Sequence, residues 1–362
     1  MRRSIAWLRR DLRLTDNRVL AAATETAERS WAVFVVDPHL IQAHSAARGR
    51  LAWFAASVAA LDTTLQFHGA GLTVLVGPPE RELPRFARQI GADAVYAAKD
   101  EDHVAVGRDR LVADELDLRL IDDSRLLPAH GVTTTDGHPY SVFSPFARKL
   151  DTRLADEAAT LTAAARTDLH RLAPRPPGCS GPEAFAADPA PHALPEAGEH
   201  AAIRRLQSFL RSDLRDYADG RNAPGLDGTS HLSPYLRVGA ISVRAAWRAA
   251  LNAADRARQR HDRALARGAS AWRRELAWRE FFAHVLSANP RLATESFRSD
   301  LDGMAWLSGA TADDALRAWR EGRTGYPLVD AGMRQLMATG WMHNRARLVT
   351  ASFLVKHLGV DW

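Results

Sequence analysis

Five short apolar runs open this chain, at residues 4–8, 31–36, 72–76, 94–97 and 118–121, each separated from the next by a longer stretch rich in Ala and Arg. Runs of that length, mostly apolar, suit strands buried on both faces, and the intervening stretches have the length of helices. Strand and helix in repetition lead to one architecture, a doubly wound parallel sheet covered by helices, expected here as an α/β domain over residues 1–130. Such a sheet binds ligands beyond the carboxyl ends of its strands. No Gly-x-Gly-x-x-Gly loop follows the first run, and no Gly-Lys-Ser/Thr occurs. Ordinary dinucleotide or nucleoside triphosphate binding by this half is therefore disfavoured.

The alternation then stops. Residues 171–195 are rich in Pro, Gly and Ala, which neither continue a helix nor pair in a sheet, so an interdomain linker is expected over 131–195. Beyond it every apolar pattern is helical, at 201–210, 243–251, 271–286, 312–319 and 328–360. An all-α domain over 196–362 follows, and two domains suit a chain of 362 residues. The charge is uneven too. Residues 201–362 carry 25 basic and 16 acidic side chains against 23 and 27 in residues 1–200, so the helical half is the candidate for a polyanion partner. A solvated Arg-rich surface has the same composition, and charge alone does not separate the two.

A single cysteine, Cys179, excludes an intramolecular disulfide and a thiolate-rich metal site, and it fits a reducing cytoplasm. No apolar run reaches the roughly twenty residues of a membrane span. His261, His284, His343 and His357 share no helical face, and no His-Glu-x-x-His occurs, so no metal site is expected.

Three segments concentrate chemistry. Gly228-Thr229-Ser230-His231-Leu232-Ser233-Pro234-Tyr235-Leu236 places three hydroxyls before a helix start, which suits either a bound phosphate or a plain N-cap. Trp272-Arg273-Arg274-Glu275-Leu276-Ala277-Trp278-Arg279-Glu280-Phe281-Phe282 puts Glu275, Trp278, Arg279 and Phe282 on one helical face. A carboxylate beside an indole suits a stacked, carbonyl-bearing heterocycle, and an amphipathic core helix with a Glu275–Arg279 pair has the same spacing. The third segment runs from Gly322-Arg323-Thr324-Gly325-Tyr326-Pro327 to Gly340-Trp341-Met342-His343-Asn344-Arg345-Ala346-Arg347. Read as one helix from about Leu328, it brings Trp341, Asn344, Arg345 and Leu348 onto one face.

This last segment resembles the signature of the DNA photolyase/cryptochrome family, and Trp7-Leu8-Arg9-Arg10-Asp11-Leu12-Arg13-Leu14 resembles that family's opening strand. The resemblance spans nearly the whole chain and is closest to class I cyclobutane pyrimidine dimer photolyases. It implies light-driven repair of such dimers in UV-damaged DNA by electron transfer from reduced FAD, by a cytoplasmic monomer; a cryptochrome-type blue-light photoreceptor is the alternative. By resemblance, Tyr217, Thr229, Ser230, His231, Leu232, Ser233, Trp272, Arg279 and Arg347 are flavin contacts. Glu275, Trp278 and Asn344 match the lesion pocket, and Arg221 and Arg345 match DNA contacts. Trp306 and Trp362 match the outer and middle members of the family's tryptophan electron relay. Arg10, Arg48, Asp100 and Asp102 look like a second-chromophore pocket of the 8-hydroxy-5-deazaflavin type. The Asn-Glu pair of relatives that bind methenyltetrahydrofolate is replaced by Val104-Ala105. The Asp-x-Asp…Asn loop with which the family holds flavin does not occur, and residues 348–362 are nearly apolar all round, so a chain truncated at its C-terminus is expected.

Overall fold

The computed structural model describes residues 2–128, 130–157, 164–301 and 303–362. Five parallel strands, β1 (Arg3–Leu8), β2 (Arg29–Val36), β3 (Leu72–Val76), β4 (Ala94–Ala98) and β5 (Leu118–Ile121), form one sheet in the order β3-β2-β1-β4-β5. The helices between them are α1 (Arg18–Thr26), α2 (Pro38–Ala43), α3 (Arg48–Phe67), α4 (Pro79–Ile90) and α5 (His103–Ala113). All five strands lie within two residues of the runs read from sequence. Alternate side chains serve two cores. Ile5, Trp7, Trp31, Val33, Val95 and Ala97 meet Leu83, Phe86 and Ile90 of α4 and Val112 of α5. Ala6, Leu8, Phe34, Leu72, Val74 and Tyr96 face the other way, into a core continuous with that of the helical half. The order of the strands reverses at β1 and β4, so Arg9–Arg10 and Lys99–Asp100 emerge together at the switch point.

The second half comprises α6 (Phe143–Asp156), α7 (Glu199–Ser212), the single turn α8 (Tyr217–Gly220), α9 (Ser233–Val238), α10 (Val243–Gln259), α11 (Arg263–Ala288), α12 (Gly309–Arg320), α13 (Pro327–Thr339) and α14 (Asn344–Lys356). Helix α6, inside the stretch expected as linker, packs on α11, with Phe143 stacked on Trp278 and Phe146 against Phe281. The Pro-rich stretch lies along the sheet: Ala173 N–H donates to Ser30 O (2.8 Å), Val74 N–H donates to Ser180 O (2.9 Å), and Arg175 reaches Asp62 (2.8 Å).

One expectation fails. The single helix over 328–360 is two, because Gly340 adopts a left-handed conformation (φ 69°) that ends α13. His343 then starts α14, its Nδ1 accepting the Arg345 N–H at 3.1 Å. Trp341 consequently lies outside the helix that carries Asn344, Arg345 and Leu348. The last segment is not uniformly buried either: Leu348 and Trp362 are exposed.

A buried charge cluster locks the halves together. Arg13 binds both Asp123 oxygens (2.8 and 2.7 Å), and Arg244 of α10 binds the Asp123 carboxylate (2.9 Å) and the Asp16 carbonyl (2.8 Å). Ser242 donates to Asp16 (2.5 Å). Nearby, Leu126 N–H donates to Glu280 of α11 (3.0 Å). Gly239 has φ 70°, and a Cβ there would overlap the Arg10 carbonyl, so only glycine permits this approach of the two halves.

Candidate functional site

The site is assembled on α11, whose long amphipathic run buries Trp272, Leu276 and Phe281 and leaves Glu275 and Trp278 half-buried on its outer stripe. Trp278 stacks face to face on Phe143 at 3.6 Å between centroids. Glu275 does not pair with Arg279, as an isolated amphipathic helix would allow. Arg279 bonds its neighbour Glu280 (2.9 Å), while the Glu275 Oε1 lies 2.6 Å from Arg221 Nη1. That oxygen has no well-directed hydrogen bond despite being shielded from solvent.

Arg221 follows the turn α8, whose Tyr217 is packed edge-on against Phe209, as is Trp272. Burial, reinforced by the Glu275 charge, pushes the Tyr217 phenol up to about 12, so it remains a neutral hydroxyl. Next to Arg221, Asn222 accepts from Arg345 Nε (3.1 Å) and Nη2 (2.6 Å). Both expected DNA contacts therefore stand on one wall of the site, each already engaged by a side chain. Asn344 and Arg347 are exposed on α14.

The loop before α9 lies beside α8, with Gly228 close to the backbone of Gly220. Arg205 of α7 donates from Nη2 to Thr229 O and from Nε to Ser230 O, both at 2.9 Å. His231 takes a left-handed conformation (φ 51°), pairs with Asp227 and packs against Trp341 with the rings tilted, 4.3 Å between centroids. Leu232 is fully buried and anchors the loop, and Ser233 opens α9. The Thr229 hydroxyl is shielded from solvent without a partner, and so is Nε2 of the buried His343. Burial, then the Arg345 and His231 charges, hold the His343 imidazole below its ordinary range. Since its Nδ1 accepts from Arg345 N–H, the neutral ring carries its proton on the unpartnered Nε2.

The signature that leads to this site has its own support. Asp330 accepts from Thr324 N–H (2.8 Å), Thr324 Oγ1 (2.6 Å) and Gly325 N–H (3.0 Å), which fixes the turn entering α13 and holds its carboxyl below the usual range. Trp306 lies in a segment joined to the end of the chain by Leu307 N–H to Gly359 O (2.7 Å). No ring contact joins Trp306 to Trp362 among the described residues.

At the sheet's switch point, Arg10 and Asp100 form an ion pair. Arg48 is employed elsewhere, 3.7 Å from Asp188, while Asp102 stays beside Asp100, donating its N–H to Asp100 Oδ1 (3.2 Å) and capping α5 by accepting Val104 N–H (3.0 Å). Arg237, missed from sequence, sits close enough that burial and Arg10 lower its pKa, while Asp100 and Asp102 oppose them. Arg205, Asn222 and Phe143 were missed as well. Each is far along the chain from the residue it supports and belongs to no motif of its own.

The chain is similar to known proteins over nearly its whole length. A family model described as DNA photolyase matches residues 4–168, and one described as FAD binding domain of DNA photolyase matches residues 272–362. The deoxyribodipyrimidine photo-lyase of a Synechococcus strain is 37% identical over 370 residues, covering 98% of this chain and 74% of the relative. A bacterial class III photolyase from Agrobacterium tumefaciens superposes with a TM-score of 0.86 at 32% identity, over 100% of this chain and 74% of that one. A Synechocystis cryptochrome superposes at 0.82 with 27% identity, over 100% and 76%. The chain belongs to the DNA photolyase/cryptochrome family.

Proposed function

We propose that this protein is a deoxyribodipyrimidine photo-lyase, which binds FAD in the helical half and reverses pyrimidine dimers in UV-damaged DNA under light. The observation that carries the reading is a half-buried carboxylate beside a stacked indole, Glu275 and Trp278, together with a loop that carries an orphaned hydroxyl, Thr229. Buried polar groups without partners are costly, and a ligand that bonds to them recovers that cost. The Thr229 and Ser230 hydroxyls with the adjoining loop amides suit the flavin diphosphate, and Tyr217 and Trp272 supply apolar wall.

When bound, reduced flavin supplies the light-driven electron; the chemistry is the cofactor's, and the protein orients and shields it. Glu275 bonds a carbonyl or imide edge of the dimer, Trp278 stacks against it, and Asn344 adds an amide. Arg221 and Arg345 hold flanking phosphates. Enzymes of this kind take their target out of the helix, at least cost where the base is already poorly stacked. At the strand ends, Arg10 and Asp100 suit the polar edge of a second chromophore, of the deazaflavin type rather than a folate.

The purified full-length protein should show flavin absorbance and should reverse cyclobutane dimers only when illuminated. Glu275→Ala should lower repair per absorbed photon while leaving flavin content unchanged. Unchanged repair would return Glu275 to the role of a helix counter-ion. Fold similarity to a cryptochrome favours a second reading, blue-light signalling; a flavin-loaded protein that leaves dimers intact would select it.

A further inference from the structure

We infer that Arg205 is a positioning residue for the cofactor's diphosphate, shaping the loop that receives it without touching the ligand. The inference rests on the FAD reading above and assigns a residue that belongs to none of the motifs behind it. The guanidinium edge of Arg205 holds two successive carbonyls, Thr229 O and Ser230 O, each at 2.9 Å. In a planar trans peptide the N–H points opposite to the C=O, so this grip turns the N–H groups of Ser230 and His231 to the far side of the loop. Among the described residues neither N–H finds an acceptor.

Successive N–H groups beside a left-handed residue form a concavity that binds anions, and His231 is left-handed at φ 51°. The unpartnered Thr229 hydroxyl adjoins the same concavity. Other contacts brace the loop: Gly228 packs on the backbone of Gly220, Asp227 pairs with His231, and Leu232 is buried. Among the described residues only Arg205 binds the two carbonyls. Its own charge is balanced by Asp213 at 3.6 Å, so it is held as a fork rather than offered to the ligand as a cation.

The test uses the whole chain, stripped of flavin and titrated with FAD. Arg205→Ala should weaken FAD binding at least tenfold, with a far-ultraviolet circular dichroism spectrum like that of the parent. Arg205→Lys, which keeps the charge but not the fork, should bind FAD with intermediate affinity. Its bound FAD should show shifted phosphorus resonances in 31P NMR while the visible absorption bands of the flavin ring stay in place. Parental affinity and unshifted phosphorus resonances in both variants would overturn the assignment. So would displacement of the ring bands together with the phosphorus signals, which marks general rearrangement. A parent chain that takes up no FAD would overturn the FAD reading itself, a separate outcome.

Discussion

Glu275 and Arg221 neutralise each other across the site, and Arg345 rests on Asn222. A DNA phosphate must therefore compete for guanidinium groups that are already engaged. For Arg345, phosphate offers a bidentate, charge-assisted contact that the Asn222 amide oxygen cannot match, so the exchange favours DNA at low salt. Arg345→Ala should weaken damaged and undamaged DNA alike and lower the slope of log affinity against log salt by about 1. Fluorescence anisotropy over a salt series checks this, and an unchanged slope would place Arg345 away from the backbone. Arg221→Ala should do the same and, in addition, leave Glu275 without its counter-ion. Sequence showed the residue types of this wall but not their pairing, because Glu275–Arg279 spacing on a helix is as good as any and only the tertiary fold brings residue 221 nearer.

Among the elements, the break between α13 and α14 shows most plainly what a sequence pattern conceals. Apolar residues run on in helical phase from Leu328, and glycine there is an ambiguous signal, since Gly332 stays within the helix and Gly340 ends it. The structure resolves it through conformation, with Gly340 at φ 69° and a Cβ there only 2.6 Å from Nε2 of His192. Gly340→Ala should therefore cost about 1–2 kcal/mol, from left-handed strain and the crowded imidazole together. Urea denaturation followed by circular dichroism would measure it, and a neutral result would mean that the linker moves aside freely. The strands, by contrast, were legible nearly to the residue. Both faces of the sheet are covered, so β1 to β4 are mostly apolar along their length rather than alternating.

On the scale of the whole molecule, the cluster of Arg13, Asp16, Asp123 and Arg244 was invisible in sequence, since its members are scattered and each has the composition of an ordinary surface charge. Burial favours the neutral acid, yet Arg13 and Arg244 outweigh it and hold the Asp123 carboxyl at about 2. Its folded value lies below the unfolded one near 3.8, so the stability it contributes is present above pH 4 and is lost as pH falls towards 2. Asp11 has the opposite sense: burial, then the Asp123 charge, raises it to about 6. The folded chain binds the extra proton, so stability falls as pH rises from about 4 to 6, and Asp11→Asn should flatten that part of the profile. Asp123→Asn leaves two buried guanidinium groups facing a neutral amide and should cost about 3–5 kcal/mol at neutral pH.

Cooperativity is the wider consequence of that cluster. A chain with an α/β half and a helical half could melt in two steps, the looser half first. Here opening either half breaks the Arg244 contacts to Asp16 and Asp123, so an intermediate with one half unfolded lacks coupling that the folded chain has, about 3–5 kcal/mol. Scanning calorimetry of the parent should give one endotherm whose van't Hoff and calorimetric enthalpies agree. In Asp123→Asn the single peak should split, and the two domains would then report their separate melting temperatures.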